Sequence, residues 1–263
     1  MIPMASIVAL GFFLGMRHAT DPDHVIAVTT IVSRQRRVAS AGLIGTLWGL
    51  GHTLTIVVVG GAIVLFNVVI PPRVGLSMEL SVAFMLVVLG LLNLTGILQQ
   101  VRATAVAGGH AHPHPHGDYV HDHAHGHAPG VHGHPEDATP PSWLDRAFGR
   151  LGLYQALRPL IVGVVHGLAG SAAVALLVLA TIRHPLWALA YLGVFGVGTI
   201  AGMMLITAGL ALPFAYTARR FTGLNRHLAT ASGVLSVAFG LFLVYQIGVV
   251  DGLFTGHPHW TPE

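Results

Sequence analysis

Six long apolar stretches, separated by short polar ones, dominate the hydropathy pattern of this chain. They cover approximately residues 3–33, 40–66, 77–100, 157–182, 186–213 and 227–250. Each reaches the roughly 20 residues that a helix needs to cross the hydrocarbon core of a bilayer. The pattern predicts an all-α fold, a polytopic membrane helix bundle with six transmembrane spans.

The first stretch is too long for one straight span. About thirty residues of helix would extend about 45 Å, well beyond the hydrocarbon thickness. Its middle is polar and contains Pro22. A proline inside a helix removes a backbone hydrogen bond, so the sequence predicts a broken first helix whose freed backbone groups face a site.

The two halves of the chain resemble each other. Residues 15–31 align without gaps to residues 163–179, so that Gly15 and His18 match Gly163 and His166. Each half holds three predicted spans, an odd number, and this predicts a 3+3 inverted repeat of the kind found in secondary transporters. The predicted units are residues 1–100 and 157–250, with a His-rich loop at 101–156 and a short C-terminal tail at 251–263.

Composition agrees with a membrane setting. Hydrophobic residues make up 53% of the 263 residues, charged residues only 9%, and the mean hydropathy is +0.71. A soluble domain carries roughly a quarter charged residues. The net charge of +3 comes with no lysine, and it does not indicate a nucleic-acid surface. The absence of cysteine excludes disulfides and thiolate metal sites.

Arginine placement predicts the orientation. Ten arginines fall in the segments that follow spans one, three and five, and two fall on the opposite side, Arg73 and Arg183. By the positive-inside rule, both termini lie outside the cytoplasm and the loop 101–156 lies inside it. The predicted location is the inner (cytoplasmic) membrane, as a multi-pass protein.

The cytoplasmic loop is rich in histidine, glycine and proline, a composition that predicts disorder. Ten of the 18 histidines lie within it, and we expect them to bind metal loosely: His110, His112, His114, His116, His121, His123, His125, His127, His132 and His134. The alternative is a linker without a metal role.

An octapeptide in the first apolar stretch carries the chemistry. Residues 17–24 read R-H-A-T-D-P-D-H. Ionisable groups at membrane depth are costly and mark a substrate, ion or proton pathway. Imidazole and carboxylate without thiolate suit Ni²⁺, Co²⁺ or Zn²⁺. The predicted metal ligands are His18, Asp21, Asp23 and His24, with Arg17 in the pathway or behind the ligands. The alternative is a structural cluster in which Arg17 pairs with one aspartate.

Three further side chains in later spans are candidates for the same site. His52, in W-G-L-G-H-T, is predicted as another metal ligand. His166 is predicted as a ligand, an orienting partner or a pathway residue. Met203 is a pathway candidate, with core filling as the alternative.

These motifs resemble the nickel/cobalt transporter (NiCoT) family. R-H-A-T-D-P-D-H-V is similar to that family's signature, whose His, Asp and His fall on His18, Asp23 and His24. L-G-H-T at 50–53 resembles its Gly-His-Ser/Thr motif, and H-G-L-A-G-S at 166–171 resembles the short six-span branch related to nickel permeases and urease-accessory membrane proteins. The larger members' second acidic motif is replaced here by A-G-S-A-A. Ligands from the second half are then His166, Ser171 or backbone carbonyls.

The predicted function is a permease, not an enzyme, that moves Ni²⁺ or Co²⁺ across the membrane, with uptake as the favoured direction. No cofactor is expected beyond the transported ion. The sequence contains neither a P-loop motif for ATP nor H-E-x-x-H. The alternatives are an efflux protein for the same ions and a membrane-bound metal chaperone for urease or hydrogenase maturation. The expected partners are the divalent metal and the bilayer.

Overall fold

Long apolar helices account for most of the chain in the computed structural model. The structure describes residues 4–35, 37–66, 70–106, 114–116, 119–121, 153–168, 182, 184–255 and 258–260. The helices are α1 (Met4–His18), α2 (Pro22–Val32), α3 (Val38–Phe66), α4 (Pro72–Val106), α5 (Leu153–His166), α6 (Pro185–Arg220) and α7 (Thr222–Tyr245). A π-helical turn, Gln246–Val250, continues α7.

Four of these elements are long and apolar enough to cross a bilayer. They are Val38–Phe66, Pro72–Ile97, Pro185–Ala218 and Gly223–Val250, with shorter apolar helices at Pro22–Val32 and Leu157–His166. The prediction of a multi-pass helical membrane protein is confirmed. The described helices give four spans by length where the sequence predicts six, because the first apolar stretch is divided in two and the stretch 157–182 lies partly outside the described residues.

The first apolar stretch breaks at residues 19–21. Pro22 occupies the first turn of α2, and Asp21 before it has an extended ψ of 143°. A residue that precedes proline is pushed out of the helical region, so α1 cannot continue into α2. The last turn of α1 closes instead through Thr20 N–H, which donates to the carbonyl of Arg17 at 2.8 Å, and Asp21 N–H, which donates to that of His18 at 3.1 Å.

Glycines allow α1 to cross α6 with the two backbones in contact. A Cβ atom on Gly15 would overlap the carbonyl oxygen of Phe195, and one on Gly198 would overlap that of Phe12. Only glycine permits this approach, as in small-residue packing between membrane helices.

The crossing of α3 and α5 repeats this arrangement with the roles of the two halves of the chain exchanged. A Cβ atom on Gly163 would overlap the carbonyl oxygen of Trp48, and one on Gly51 would overlap that of Leu160. Gly163, the residue that aligns with Gly15 in the sequence, therefore makes the corresponding contact.

The α4–α7 crossing contains a reciprocal glycine pair. A Cβ on Gly90 would lie 2.7 Å from the carbonyl oxygen of Gly233, and one on Gly240 would lie 2.8 Å from that of Ala83. Gly90 and Gly240 are 150 residues apart, as are Ala83 and Gly233. The two contacts are therefore equivalent when the two halves of the chain are exchanged.

A buried polar network ties the end of α2 to α4 and α7. Arg34, just beyond α2, donates from Nε to Asn93 Oδ1 at 3.2 Å and from Nη2 to the Asn93 carbonyl. Asn93 Nδ2 donates to the carbonyl of Ala229 at 3.0 Å and to Ser232 Oγ at 3.3 Å. The arginine is therefore held by hydrogen bonds between helices.

The segment between the halves is shorter than predicted and contains some regular structure. Helix α4 continues to Val106, and α5 begins at Leu153, so both reach into the segment assigned to a disordered loop at 101–156. The alanine- and valine-containing run after Val101 sustains the helix. Two short antiparallel strands, β1 (His114–His116) and β2 (Tyr119–His121), also pair there, and the rest of the regular structure is helical. Disorder of the loop stays a prediction; the other residues between α4 and α5 lie outside the described part.

Replacement of Gly198 by alanine should lower the melting temperature of the detergent-purified protein. Its new methyl group must push α6 away from Phe12, and overpacking of this kind costs about 1–3 kcal/mol. Gly209→Ala is the matched control in the same helix, because a Cβ there meets nothing within 4 Å. That substitution should leave stability unchanged or raise it by up to about 1 kcal/mol. Equal melting temperatures for the two variants would contradict backbone contact at this crossing.

Candidate metal site

Four buried histidines from four helices converge at the break between α1 and α2. His18 ends α1, His24 lies in the first turn of α2, His52 lies in the middle of α3, and His166 ends α5. Their exposed fractions are 6%, 0%, 1% and 0%. The His24 ring is central, with its centroid 4.7 Å from that of His18, 5.0 Å from that of His52 and 4.2 Å from that of His166.

The helix break brings His18 and His24 together. The turn at 19–21 interrupts the helix between them. Their rings therefore lie close together, although an unbroken helix would place them on different faces. The glycines Gly51 and Gly167 then bring α3 and α5 close enough for the other two rings. A Cβ on Gly167 would lie 2.7 Å from the carbonyl oxygen of His52.

The first triad consists of His18, His24 and His52. One nitrogen from each ring lies within 4.8 Å of the others. His18 Nε2 is 2.8 Å from His52 Nε2, a distance that fits either a hydrogen bond or two adjacent ligands of one ion. Ligands at about 2.1 Å from a metal and at right angles to each other are about 3.0 Å apart.

Asp21 lies behind the first triad. Its Oδ2 atom is 2.7 Å from His18 Nδ1 and its side chain is one-third exposed. Asp21 stands at the N-cap position of α2 but makes no capping hydrogen bond. Its carboxylate instead accepts the Nδ1 proton of His18, which leaves His18 Nε2 with a free lone pair for a cation.

The second triad consists of Asp23, His24 and His166, whose ligand atoms also lie within 4.8 Å of one another. Asp23 bridges the two rings. Its Oδ1 atom is 2.9 Å from His24 Nδ1, and its Oδ2 atom is 3.0 Å from His166 Nε2. The carboxylate is only 16% exposed, so its charge is held in a largely dry environment beside two imidazoles.

Several ring nitrogens of the cluster lack a hydrogen-bond partner within the described part of the chain. They are His24 Nε2, His52 Nδ1 and His166 Nδ1, and all are buried. A buried polar atom without a partner costs about 1–3 kcal/mol. Nitrogens in this state are suited to a ligand that supplies the missing interaction, and a divalent cation does so for imidazole and carboxylate together.

Two buried aromatic rings pack against the cluster. Trp48 stacks on His24 at 6.3 Å between ring centroids and meets His166 edge-on at 5.3 Å. Phe195 lies 5.6 Å from His18. Both side chains are almost completely buried. They exclude water from the site and so strengthen the electrostatic interactions within it.

The structure brings together most, not all, of the residues predicted from the sequence. His18, Asp23, His24, His52 and His166 fall in the two triads, while Asp21 contacts His18 from behind. Arg17 is exposed, and Met203 is buried in the apolar core with Trp48. Ser171 lies outside the described residues, as do the loop histidines except for the backbone of His114, His116 and His121.

The enclosing aromatic residues are not among the sequence predictions. Trp48 stands four residues before His52, so the two share one face of α3. Helical spacing could therefore have indicated Trp48. Phe195 has no such signal, because it belongs to an apolar run on α6 and only the fold brings it to His18.

Comparison with known proteins agrees with the motifs. Residues 4–141 match the family model NicO, described as a high-affinity nickel-transport protein. An alignment with the urease accessory protein UreH of Bacillus sp. (strain TB-90) extends over 256 residues at 31% identity and covers 96% of each protein. No solved structure matches this chain. The family match covers more than half of the chain, and the chain belongs to the NicO family of nickel-transport proteins.

Proposed function

We propose that this protein is a secondary permease that moves Ni²⁺ or Co²⁺ across the cytoplasmic membrane through the His/Asp cluster. The observation that carries the proposal is the set of four buried imidazoles and one carboxylate between membrane-length helices. Its buried ring nitrogens that lack a partner within the described part of the chain are suited to bind a cation. Family membership and the UreH relative support the same reading.

The donor set suits a metal of intermediate hardness. Imidazole nitrogens and carboxylate oxygen favour first-row divalent ions, and the chain has no thiolate to attract softer ones. The 2.8 Å separation of the His18 and His52 nitrogens fits ligands at right angles, the angle of square-planar and octahedral ions.

The overall architecture proposed is six spans arranged as a 3+3 inverted repeat. In this arrangement α1 and α2 form one broken span, and α5 begins the span that corresponds to it in the second half. The glycine contacts support the repeat, because Gly15 and Gly163 make corresponding contacts and Gly90 and Gly240 make reciprocal ones. A site at the interface of two such units is accessible to one side at a time when the units rock.

The orientation proposed places both termini outside and the His-rich loop in the cytoplasm, from the arginine bias of the connecting segments. A dication that moves inward gains about 4.6 kcal/mol per 100 mV of membrane potential, since each charge gains about 2.3 kcal/mol. Uptake therefore needs no ATP-hydrolysing partner. The loop histidines would bind metal loosely at the cytoplasmic face.

A second candidate function is delivery of nickel to a maturing enzyme. The name of the relative, a urease accessory protein, favours it. A delivery protein would bind metal but would not transfer it between two aqueous compartments, so ion flux separates the two functions. The direction of that flux distinguishes uptake from efflux of the same ions.

Purified protein in sealed liposomes should take up radiolabelled Ni²⁺ when the interior is made negative. His24→Ala should reduce uptake to the level of protein-free liposomes, because His24 belongs to both triads. His227→Ala is the matched control, since His227 is exposed on α7 and outside the cluster. Binding without uptake by the unmodified protein would favour delivery, and uptake by His24→Ala at the control rate would exclude the cluster as the pathway.

Asp21→Asn should weaken equilibrium Ni²⁺ binding by about 10–100-fold, the usual loss when a carboxylate behind a metal-binding histidine is removed. The amide no longer fixes the His18 tautomer that presents Nε2 to the metal. Asp251→Asn, in the turn that follows the π-helical segment, should have no effect. Equilibrium dialysis with ⁶³Ni²⁺ measures both variants, and a loss for Asp21→Asn no greater than that for Asp251→Asn would remove the proposed orienting role.

Deletion of residues 110–134 should leave Ni²⁺ uptake measurable, because all the described members of the buried cluster lie elsewhere in the chain. The expected change is a lower number of weakly bound ions per chain. Initial uptake rates and total bound Ni²⁺ should be measured on the same preparation. Complete loss of uptake with normal expression would show that the loop is an essential part of the pathway.

A further inference from the structure

We propose that the cluster is two successive metal subsites that share His24, and that a transported ion passes from the first triad to the second. The inference rests on the proposed function. Five candidate ligands lie in the cluster, but they form two groups of three around His24 and not one group of five. Two donors opposite each other on one ion are about 4.2 Å apart, so a single ion cannot engage every donor of both groups.

The central position of His24 makes it suitable as the shared ligand. Its ring lies between His18 and His52 on one side and His166 on the other. Its Nδ1 atom contacts Asp23, and its Nε2 atom is buried and has no partner among the described residues. A small rotation of this ring moves it from the first triad to the second. The ion then passes between the two triads without release to water.

Charge and exposure give the path a direction. The first triad has no carboxylate of its own and is assisted by Asp21 through His18. The second triad contains the carboxylate of Asp23 directly. Asp21 is one-third exposed and Asp23 only 16% exposed, so an ion enters beside Asp21 and reaches the first triad through His18, which Asp21 contacts. It then meets the imidazole nitrogens of the first triad before the carboxylate of Asp23.

His166 receives a specific role from this arrangement. It is completely buried, its Nδ1 atom has no partner within the described residues, and it is the member of the two triads that comes from the second half of the chain. Trp48 packs edge-on against its ring and also stacks on His24. His166 would therefore take over the ion after His18 and His52 have released it.

Occupation of both subsites at once is disfavoured. The two ions would share the imidazole of His24 and would repel each other across a few ångströms in a low-dielectric site. The expected stoichiometry is one tightly bound ion per chain, distributed between two ligand sets. This differs from two independent sites, which would bind two ions.

The test uses the full-length chain in which the ten loop histidines are replaced by serine, so that bound metal reports only the buried cluster. Equilibrium ⁶³Ni²⁺ binding, the visible absorption of bound Co²⁺ and Ni²⁺ flux in sealed liposomes are measured on the same protein. His166→Asn is compared with His52→Asn and with His227→Asn as the control. His166→Gln replaces His166→Asn if the latter is not recovered as a monodisperse protein.

The expected result is a separation of binding from flux. His166→Asn should keep one bound ion per chain with an affinity loss below about tenfold, because the first triad stays intact and only the second ligand set is lost, while flux falls to the protein-free level. His52→Asn should lose far more affinity. The Co²⁺ spectrum of the parent should be reproduced as a mixture of two spectra, and His166→Asn should show one of them alone.

Three results would overturn the relay. Flux by His166→Asn at the parent rate would show that the second triad is not on the path. Equal loss of affinity in His166→Asn and His52→Asn would indicate one merged site, and two tightly bound ions per chain would indicate independent sites. In each case flux by the parent protein would still support the permease. Absence of flux in the parent would instead refute the permease itself.

Discussion

The cost of placing imidazole and carboxylate groups among membrane-length helices governs this structure. Each buried nitrogen must be hydrogen-bonded or bound to a ligand, or it destabilises the fold. The protein satisfies some of these atoms with its own side chains, through Asp21 on His18 and Asp23 on His24. It leaves others without partners in the described structure, and we propose that a cation binds at those atoms.

The helix break and the glycine crossings serve this cluster. The turn at 19–21 brings His18 beside His24, which a continuous helix would not do. Gly51, Gly163 and Gly167 allow α5 to approach α3, so that His166 reaches the other rings. The crossing of α1 and α6 repeats this geometry and brings Phe195 against His18. Backbone contacts of this kind leave little freedom for gradual adjustment, which favours movement of whole helix units during transport.

Much of the site could be predicted from the sequence, because its chemistry is unusual for its surroundings. Charged and imidazole groups inside an apolar stretch identified residues 17–24, and Pro22 indicated the break. His52 and His166 stood out for the same reason. The roles of Asp21 and Asp23 could not be separated, since both precede His24 closely and only the direction of each carboxylate distinguishes them. Phe195 was beyond prediction, because a buried aromatic residue on an apolar helix is ordinary until the fold brings it to a histidine.

X-ray absorption at the nickel edge tests the central claim most directly. The sample is the full-length chain with its ten loop histidines replaced by serine and loaded with one equivalent of Ni²⁺. We expect nitrogen and oxygen donors around the nickel, with the multiple-scattering signature of two or three imidazoles per nickel. A shell of oxygen donors without imidazole, or failure of this protein to retain nickel, would contradict a buried histidine site.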